Sequence, residues 1–257
     1  MFIASYYFIT LLPLLGLAVI GWLISLKNDN VTIVDSLWAI FFLFASVTNY
    51  MLDSFHSERA QVVLILVLIW SIRLSTYLYL RNRHKPEDHR YQLIRLRNEP
   101  HFKIKSIYIV FGLQACLAWF ISLPLHVSLH STSQLKIADY IGVSLWLIGM
   151  LFQTVGDFQL ARFKDDLGNI DKVLASGLWR YTRHPNYFGE SCIWFGYGLI
   201  AIGAGQWWTI ISSFLMTYLL INITGARLLE SDIAERRPDY KKYIQNTPQF
   251  FPWFPES

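Results

Sequence analysis

The stretch GLWRYTRHPNYFGE, residues 177–190, places arginines, a histidine, an asparagine and a glutamate between long apolar runs. Hydrophobic residues make up 54% of the chain and charged residues only 16%, which is unusual for a water-soluble domain. The apolar residues come in blocks of roughly 20, the length that a helix needs to cross a bilayer. The sequence therefore predicts an integral membrane protein in which this polar stretch lies at the mouth of a membrane helix.

Seven apolar blocks are candidate transmembrane helices. Each must be helical, because backbone N–H and C=O groups find no water to bond inside hydrocarbon. The predicted spans are residues 2–26, 31–52, 60–80, 106–129, 137–159, 187–204 and 207–226. We therefore expect an all-α membrane protein with about seven transmembrane helices.

The basic residues predict the orientation of these helices. With seven spans, all of the 22 Lys and Arg residues except Arg59, Arg73 and Lys136 fall on one side of the membrane. The positive-inside rule then predicts an N-terminus outside and a C-terminus in the cytoplasm. Because membrane topology accounts for the basic clusters and no nucleic-acid motif is present, nucleic acid is not an expected partner.

Polar residues inside the predicted spans point to a pocket. A charged side chain in hydrocarbon costs about 3 kcal/mol on insertion scales, so such residues usually have a partner or a task. Asp157 follows Gln153 by four residues and Glu190 follows Asn186 by four, so each pair shares a helical face. The alternative is a purely structural role, in which these groups only form hydrogen bonds between helices.

A second set of polar residues lies in the first three spans. Arg73, Tyr77 and Arg81 share one helical face at steps of four. Asp35 lies in the second span, and a structural pairing of Asp35 with Arg73 is as good an explanation as a catalytic role. The substrate site and a helix contact therefore both remain open for these residues.

The opening stretch itself has the chemistry of an anion site. Gly177 permits a turn, and Pro185 suits the first turn of the sixth span. A helix N-terminus attracts anions, and Arg180, Arg183 and His184 add positive charge just before it. Snorkelling of long side chains to the membrane interface would account for Trp179 and Arg180. It would not account for Asn186 or Glu190. We therefore expect a phosphorylated cofactor at this helix end.

The stretch 177–190 resembles the C-terminal signature of the steroid 5-alpha-reductase superfamily, in particular its DUF1295 branch. The resemblance continues in VDSLW (34–38), RLSTYLYLRNRHKPEDHRYQ (73–92), GDFQLARFK (156–164) and LLESDIAERRPDYKKYIQNTPQFFP (228–252). It implies a seven-helix membrane fold that binds NADPH in a cytoplasm-facing cavity. The implied reaction is reduction of a C=C bond conjugated to a carbonyl.

The resemblance also implies roles for individual residues. Asp157 and Lys164 correspond to the acidic and basic residues near the adenosine phosphate-ribose end of the cofactor. Asn186 and Glu190 correspond to the Asn-x-x-Gly-Glu that holds it. The other cofactor-binding residues implied are Arg73, Arg183, His184, Tyr187, Glu230, Tyr240 and Tyr243. No metal site is expected.

Two departures from the family pattern affect the substrate. The second helix lacks a Gln-Glu pair, and Trp70 stands where the family has a Tyr three residues before the third-helix arginine. Asp35 and Tyr77 are the candidate replacements, as the groups that stabilise the enolate or supply its proton. The departures argue against a steroid and favour another lipid-like enone or enoyl substrate.

Two other functions compete with the reductase. Isoprenylcysteine and phospholipid methyltransferases, which bind S-adenosylmethionine, share an RHPxYxG loop, but their tails usually carry paired glutamates, whereas Glu230 is followed by Ser231. A transporter would be expected to show inverted repeats and helices broken at the midplane, whereas these polar residues gather at one face.

We expect residues 1–257 to form one integral-membrane domain. Helices one to four, residues 1–130, are expected on the substrate side, and residues 137–257 are expected to bind the cofactor. Compact loops and the lack of a targeting extension favour a bacterial inner membrane, with membrane lipids and a lipid-like substrate as partners.

Overall fold

The computed structural model describes residues 2–223 and 239–254, and every regular element within these ranges is helical. The predicted all-α class is therefore confirmed for them. The chain forms two compact units: residues up to Leu135 with Ala204–Gln206, and Lys136–Gly203 with the described residues from Trp207 onward. That all 257 residues make one membrane domain stays a prediction.

The first unit is a set of packed helices. They are α1 (Ala4–Ile9), α2 (Leu11–Asn28), α3 (Ile33–Leu52), α4 (Glu58–Asn82), α5 (His89–Asn98), α6 (Phe102–Ser106), a π-helical segment (Ile107–Gly112), α7 (Leu113–Ile121) and α8 (Leu123–Leu129). Helix α3 lies at the centre, against α2, α4 and α7. Its buried Phe41 and Phe42, with Trp70 of α4, form an apolar core.

The second unit is built on two long helices. Its elements are α9 (Ile137–Asp165), 3₁₀ turns at Leu167–Asn169 and Gly177–Arg180, α10 (Pro185–Gly203), a 3₁₀ turn at Trp207–Ile210, α11 (Ile211–Tyr218), a π-helical segment (Leu219–Ile223) and α12 (Asp239–Asn246). Helix α10 packs along α9 over most of its length and also against α11.

Five helices within the described residues are long and apolar enough to cross a membrane. They are Ala4–Asn28, Ile33–Leu52, Glu58–Asn82, Phe102–Ile121 and Ile137–Asp165. They correspond to the first five predicted spans, and the chain is an integral membrane protein by this measure. The fourth ends earlier than predicted, because the chain starts a new helix, α8, with Pro124 in its first turn. The count of seven and the orientation of the termini stay predictions.

Arg59, one of the two basic residues that the predicted topology places on the less charged side, has a structural role. Its side chain is 1% exposed. The guanidinium donates to Ser131 Oγ (2.8 Å), to Ser133 O (2.9 Å) and Oγ (2.8 Å), and to Gln134 O (2.8 Å). These bonds tie the start of α4 to the chain after α8.

Glycines at seven-residue intervals bring α9 and α10 into backbone contact. Gly142, Gly149 and Gly156 recur in α9, and Gly189, Gly196 and Gly203 recur in α10. A Cβ on Gly149 would lie 2.5 Å from Gly189 O, and one on Gly142 would lie 2.7 Å from Gly196 O. Side-chain carbons do not approach a carbonyl oxygen this closely, so only glycine allows the spacing. This repeat was not among the features predicted from the sequence.

Replacing a glycine of this contact should loosen the second unit. Gly149→Ala inserts a methyl group between the two backbones, and we expect it to destabilise the protein by about 1–3 kcal/mol. The measurement is thermal unfolding of the purified protein in detergent. Gly16→Ala is the matched control, since Gly16 lies in α2 with nothing within 4 Å of its Cβ position. Its melting temperature should stay the same or rise slightly, and equal losses in both variants would contradict the account.

Candidate functional site

The loop before α10 is shaped by a glycine and a half-buried glutamine. Gly177 has a φ of +60°, a conformation that costs glycine little and other residues more. A Cβ at this position would collide with the Gln159 amide of α9. The same amide accepts the Leu178 N–H at 3.0 Å through its Oε1. Helix α10 then begins at Pro185, as the sequence predicts.

The C-terminal segment 239–254 packs against this loop. The bonds run from Arg183 N–H to Pro248 O (2.9 Å), from Thr182 Oγ1 to Phe250 O (2.9 Å), from Trp253 N–H to Tyr181 O (2.9 Å) and from the Tyr243 hydroxyl to Trp179 O. Tyr240 and Tyr243 are buried in this contact. The loop and the tail therefore form one surface beside the start of α10, and the cofactor role of the tail tyrosines stays a prediction.

Asp157 and Asn186 join α9 to α10 at this end. The Asn186 amide donates to Asp157 Oδ1 at 3.0 Å. Its Oδ1 accepts the Tyr187 N–H at 3.0 Å, so the amide is fixed from both sides. Asp157 is buried, next to Gly156 at the helix contact. The carboxylate is therefore held at the N-terminal end of α10.

Glu190 lies one turn further along α10 and is also buried. Its carboxylate accepts a hydrogen bond from the Gln153 amide of α9 and one from Trp194 Nε1 at 3.0 Å. Charge-assisted bonds of this kind compensate a buried carboxylate. Gln153 and Glu190 thus repeat, one turn on, the interhelical bond made by Asp157 and Asn186.

Basic and aromatic groups surround the first turn of α10. The side chains of Arg183 and His184 are buried there. The His184 ring stacks on the Tyr187 ring, with centroids 5.4 Å apart and planes 8° apart. Lys164 is exposed in the last turn of α9. The helix N-terminus, the guanidinium and the imidazole together favour a bound anion.

The chemistry of these groups fits a dinucleotide. A guanidinium, an imidazole and a helix N-terminus suit phosphate oxygens, whereas amide and carboxylate oxygens suit ribose hydroxyls. Eight of the eleven predicted cofactor residues lie around this end of α9 and α10: Asp157, Arg183, His184, Asn186, Tyr187, Glu190, Tyr240 and Tyr243. Lys164 is the exposed ninth, Arg73 belongs to the first unit, and Glu230 lies outside the described residues.

Asp35 in the first unit is an ion-paired carboxylate. Its Oδ2 accepts from Arg90 Nη2 at 2.8 Å, and its Oδ1 accepts from the Tyr91 hydroxyl at 2.6 Å. Gln114 donates to the Tyr91 hydroxyl at 3.2 Å. The charged partner of Asp35 is therefore Arg90 of α5, and not Arg73, which the sequence had suggested as a possible partner. These two bonds hold α5 against α3 and give Asp35 a structural role, and its catalytic role stays a prediction.

Burial and charge shift the pKa of groups in α5. Burial, and then the charge of Asp35, raises the pKa of Tyr91 well above its usual value. The phenol therefore stays protonated and keeps donating to Asp35. Burial works against the charged form of Asp88, but the hydrogen bond and charge of Arg90 outweigh it and lower the pKa of Asp88. At neutral pH Tyr91 therefore stays a hydrogen-bond donor and Asp88 an acceptor, as their bonds to Asp35 and Arg90 require.

Arg73 and Tyr77 form a separate cluster in α4. The Arg73 guanidinium lies 5.3 Å from the centroid of the Tyr77 ring, and the Arg81 guanidinium lies 5.6 Å from it. These distances fit cation–π contacts. The single face that the four-residue spacing predicts is thus present, with the tyrosine between two arginines.

Sequence reasoning missed three residues of these networks: Trp194, Arg90 and Tyr91. Trp194 could have been found, because it follows Glu190 by four residues on one helical face. Arg90 and Tyr91 bond a carboxylate 55 and 56 positions away. No local spacing signals such a contact.

Loss of the Tyr91 hydroxyl should release α5. In Tyr91→Phe, Asp35 loses a buried hydrogen bond, which we expect to cost about 1–2 kcal/mol. Cleavage by trypsin at the basic residues of segment 81–105 should become faster. Tyr79→Phe is the control, because Tyr79 is exposed in α4, and its cleavage rate should match wild type. A Tyr91→Phe protein as resistant as wild type would contradict the docking role.

The chain matches the model of a family described as a protein of unknown function (DUF1295) over residues 21–247. An uncharacterised protein of Schizosaccharomyces pombe is 25% identical, over 90% of this chain and 75% of its own length. The bovine 3-oxo-5-alpha-steroid 4-dehydrogenase 1 is 30% identical over 40% of this chain and 38% of its own. The human protein of that name is 39% identical over 23% of each.

These similarities confirm the family that the motifs predict and are consistent with the steroid 5-alpha-reductase superfamily. The relatives are eukaryotic and so give no support to a bacterial inner membrane. No solved structure matches the chain.

Proposed function

The chain belongs to the DUF1295 family, and from this membership and the polar groups of α9 and α10 we propose that it is an NADPH-dependent membrane reductase. The proposed reaction is hydride transfer to a C=C bond conjugated to a carbonyl in a lipid-like substrate. Relatives named 3-oxo-5-alpha-steroid 4-dehydrogenase support an oxidoreductase of this kind.

One observation carries the proposal. Asp157 bonds Asn186, and one turn away Gln153 bonds Glu190, so two buried carboxylates lie between adjacent helices. Buried ionisable groups in membrane helices are costly and usually serve a function. Their position beside Arg183 and His184, which precede the first turn of α10, supports a nucleotide as the ligand.

Different residues at this end of α9 and α10 would contact different parts of NADPH. NADPH supplies the hydride when it is bound. Arg183 and His184 would bind its phosphates, together with the N-terminus of α10. Asn186 and Glu190 would orient a ribose or the carboxamide. Asp157 and Lys164 would contact the adenosine phosphate-ribose end. The dinucleotide would be covered by Tyr187, Tyr240 and Tyr243. The family resemblance adds Arg73 and Glu230 as further cofactor-binding residues.

In the first unit we assign the substrate carbonyl to Tyr77. The carbonyl oxygen gains negative charge as the hydride arrives, and a hydrogen-bond donor lowers the energy of that state. The contacts of Tyr77 with Arg73 and Arg81 support this role. Asp35 is the second candidate for this role, and its bonds to Arg90 and Tyr91 also position α5.

The proposed topology has seven spans with the N-terminus outside and the C-terminus in the cytoplasm. Helix α10 has 19 residues, a rise of about 28 Å, which approaches the thickness of the hydrocarbon core. Since it packs along α9, it would cross with it. Trp207–Ile223 would supply the seventh span.

Ligand titrations separate the reductase from the methyltransferase. We expect NADPH to raise the melting temperature of the purified protein and S-adenosylmethionine to leave it unchanged. Asn186→Ala and Glu190→Gln should each weaken NADPH binding about tenfold or more, because the first removes an amide and the second a charged acceptor oxygen that are proposed to contact the cofactor. Isothermal titration in detergent measures both affinities.

A control variant separates cofactor contacts from helix packing. Trp146 Nε1 donates to the Tyr197 hydroxyl at 2.9 Å, another polar bond between α9 and α10. Tyr197→Phe should lower the melting temperature and leave the NADPH affinity unchanged. Stabilisation by S-adenosylmethionine alone would reject the reductase in favour of the methyltransferase. Wild-type NADPH affinity in Asn186→Ala or Glu190→Gln would reject the cofactor site.

A further inference from the structure

A groove lies on a face of α9 that the proposed reaction does not use. Its volume is about 580 Å³, between the last turns of α9 and the loop that follows, within the usual size range of ligand sites. Phe158, Phe163 and Leu174 line its apolar part, and Arg162 and Asp166 line its polar part. Asp157 is buried against α10, whereas Phe158 and Arg162 are exposed, so the groove faces another direction.

The groove continues an apolar stripe along α9. Tyr140, Leu147, Leu151 and Phe158 follow each other at steps of seven and four on one helical face and are 63%, 56%, 62% and 62% exposed. Arg162 comes four residues after Phe158 on that face. The rise from Tyr140 to Arg162 is about 33 Å, close to the thickness of the hydrocarbon core. This spacing places Arg162 at the level of the lipid head groups.

The polar part of the groove carries one charge of each sign. Arg162 makes no side-chain hydrogen bond or ion pair with the part of the chain that the structure describes. Asp166 is held rigidly: its Oδ1 accepts the Gly168 N–H at 2.9 Å, and its Oδ2 accepts from Asn169 Nδ2 at 3.1 Å. A carboxylate has about four acceptor positions, so Asp166 can still bind a cation.

We propose that this groove binds one glycerophospholipid with a primary ammonium head group. Its phosphate pairs with Arg162, its ammonium pairs with Asp166, and one acyl chain lies over Phe158 and along the exposed stripe of α9. A guanidinium binds phosphate oxygens in a fork, and a primary ammonium donates three hydrogen bonds. A choline head group cannot donate them, and a glycerol head group lacks the positive charge.

Native mass spectrometry of the delipidated full-length protein tests the site. Phosphatidylethanolamine, phosphatidylcholine and phosphatidylglycerol are added at equal concentrations, and we expect one retained phosphatidylethanolamine per chain. Arg162→Gln should lower its affinity about tenfold or more. Asp166→Asn should keep phospholipid binding and lose the preference for phosphatidylethanolamine. Phe158→Ser should weaken all three lipids without a change in charge.

Arg83→Gln is the matched control. Arg83 is an exposed arginine at the end of α4 in the first unit, and its loss should leave retention unchanged. Equal retention by Arg162→Gln and wild type would overturn the proposal, and so would equal binding of the three lipids. Displacement of the lipid by inorganic phosphate would reduce the groove to an anion site. Displacement by NADPH would make the groove part of a nucleotide site.

Discussion

The close approach of α9 and α10 is the constraint on which the second unit depends. If α10 crosses the membrane with α9, as proposed, apolar side chains gain little from this contact, since lipid is equally apolar, and packing and hydrogen bonds must hold the pair. Glycines at seven-residue intervals let the backbones meet at Gly149–Gly189 and Gly142–Gly196. A wider spacing would separate the polar side chains that now bond across the gap.

That spacing determines where charge can be buried. Asp157 and Glu190 each have a partner on the opposite helix, Asn186 and Gln153 respectively. A buried carboxylate without such partners would cost several kcal/mol. The helix contact therefore makes it possible to keep two carboxylates next to the first turn of α10 and the basic residues Arg183 and His184 that precede it. The tail segment then packs on the loop that leads into that turn.

The first unit uses charge for a different purpose. Asp35 lies at the start of α3, and Arg90 and Tyr91 of α5 donate hydrogen bonds to its carboxylate. The carboxylate thus links a membrane helix to the polar segment between α4 and α6. A residue that is a catalytic candidate by its position thus also has structural partners in α5.

The sequence reveals patterns that repeat locally and misses contacts between distant residues. Apolar blocks predict the helices, and the motif at 177–190 predicts the family and the start of α10 at Pro185. The four-residue spacing of Gln153 with Asp157, and of Asn186 with Glu190, predicts polar faces but not which residues bond. The pairing of Asp35 with Arg90 depends on how the segment after α4 folds back. The glycine repeat is present in the sequence, but a single glycine within an apolar run does not indicate a close contact between two helices.

The polar bonds between α9 and α10 are proposed to mark the site of a dinucleotide. A cryo-electron-microscopy structure of the protein with NADPH, at a resolution that shows side chains, would show whether they do. We expect nucleotide density within hydrogen-bonding distance of Asn186 and Glu190, with its phosphates beside Arg183. Density bound elsewhere, or an empty helix end at saturating NADPH, would contradict it.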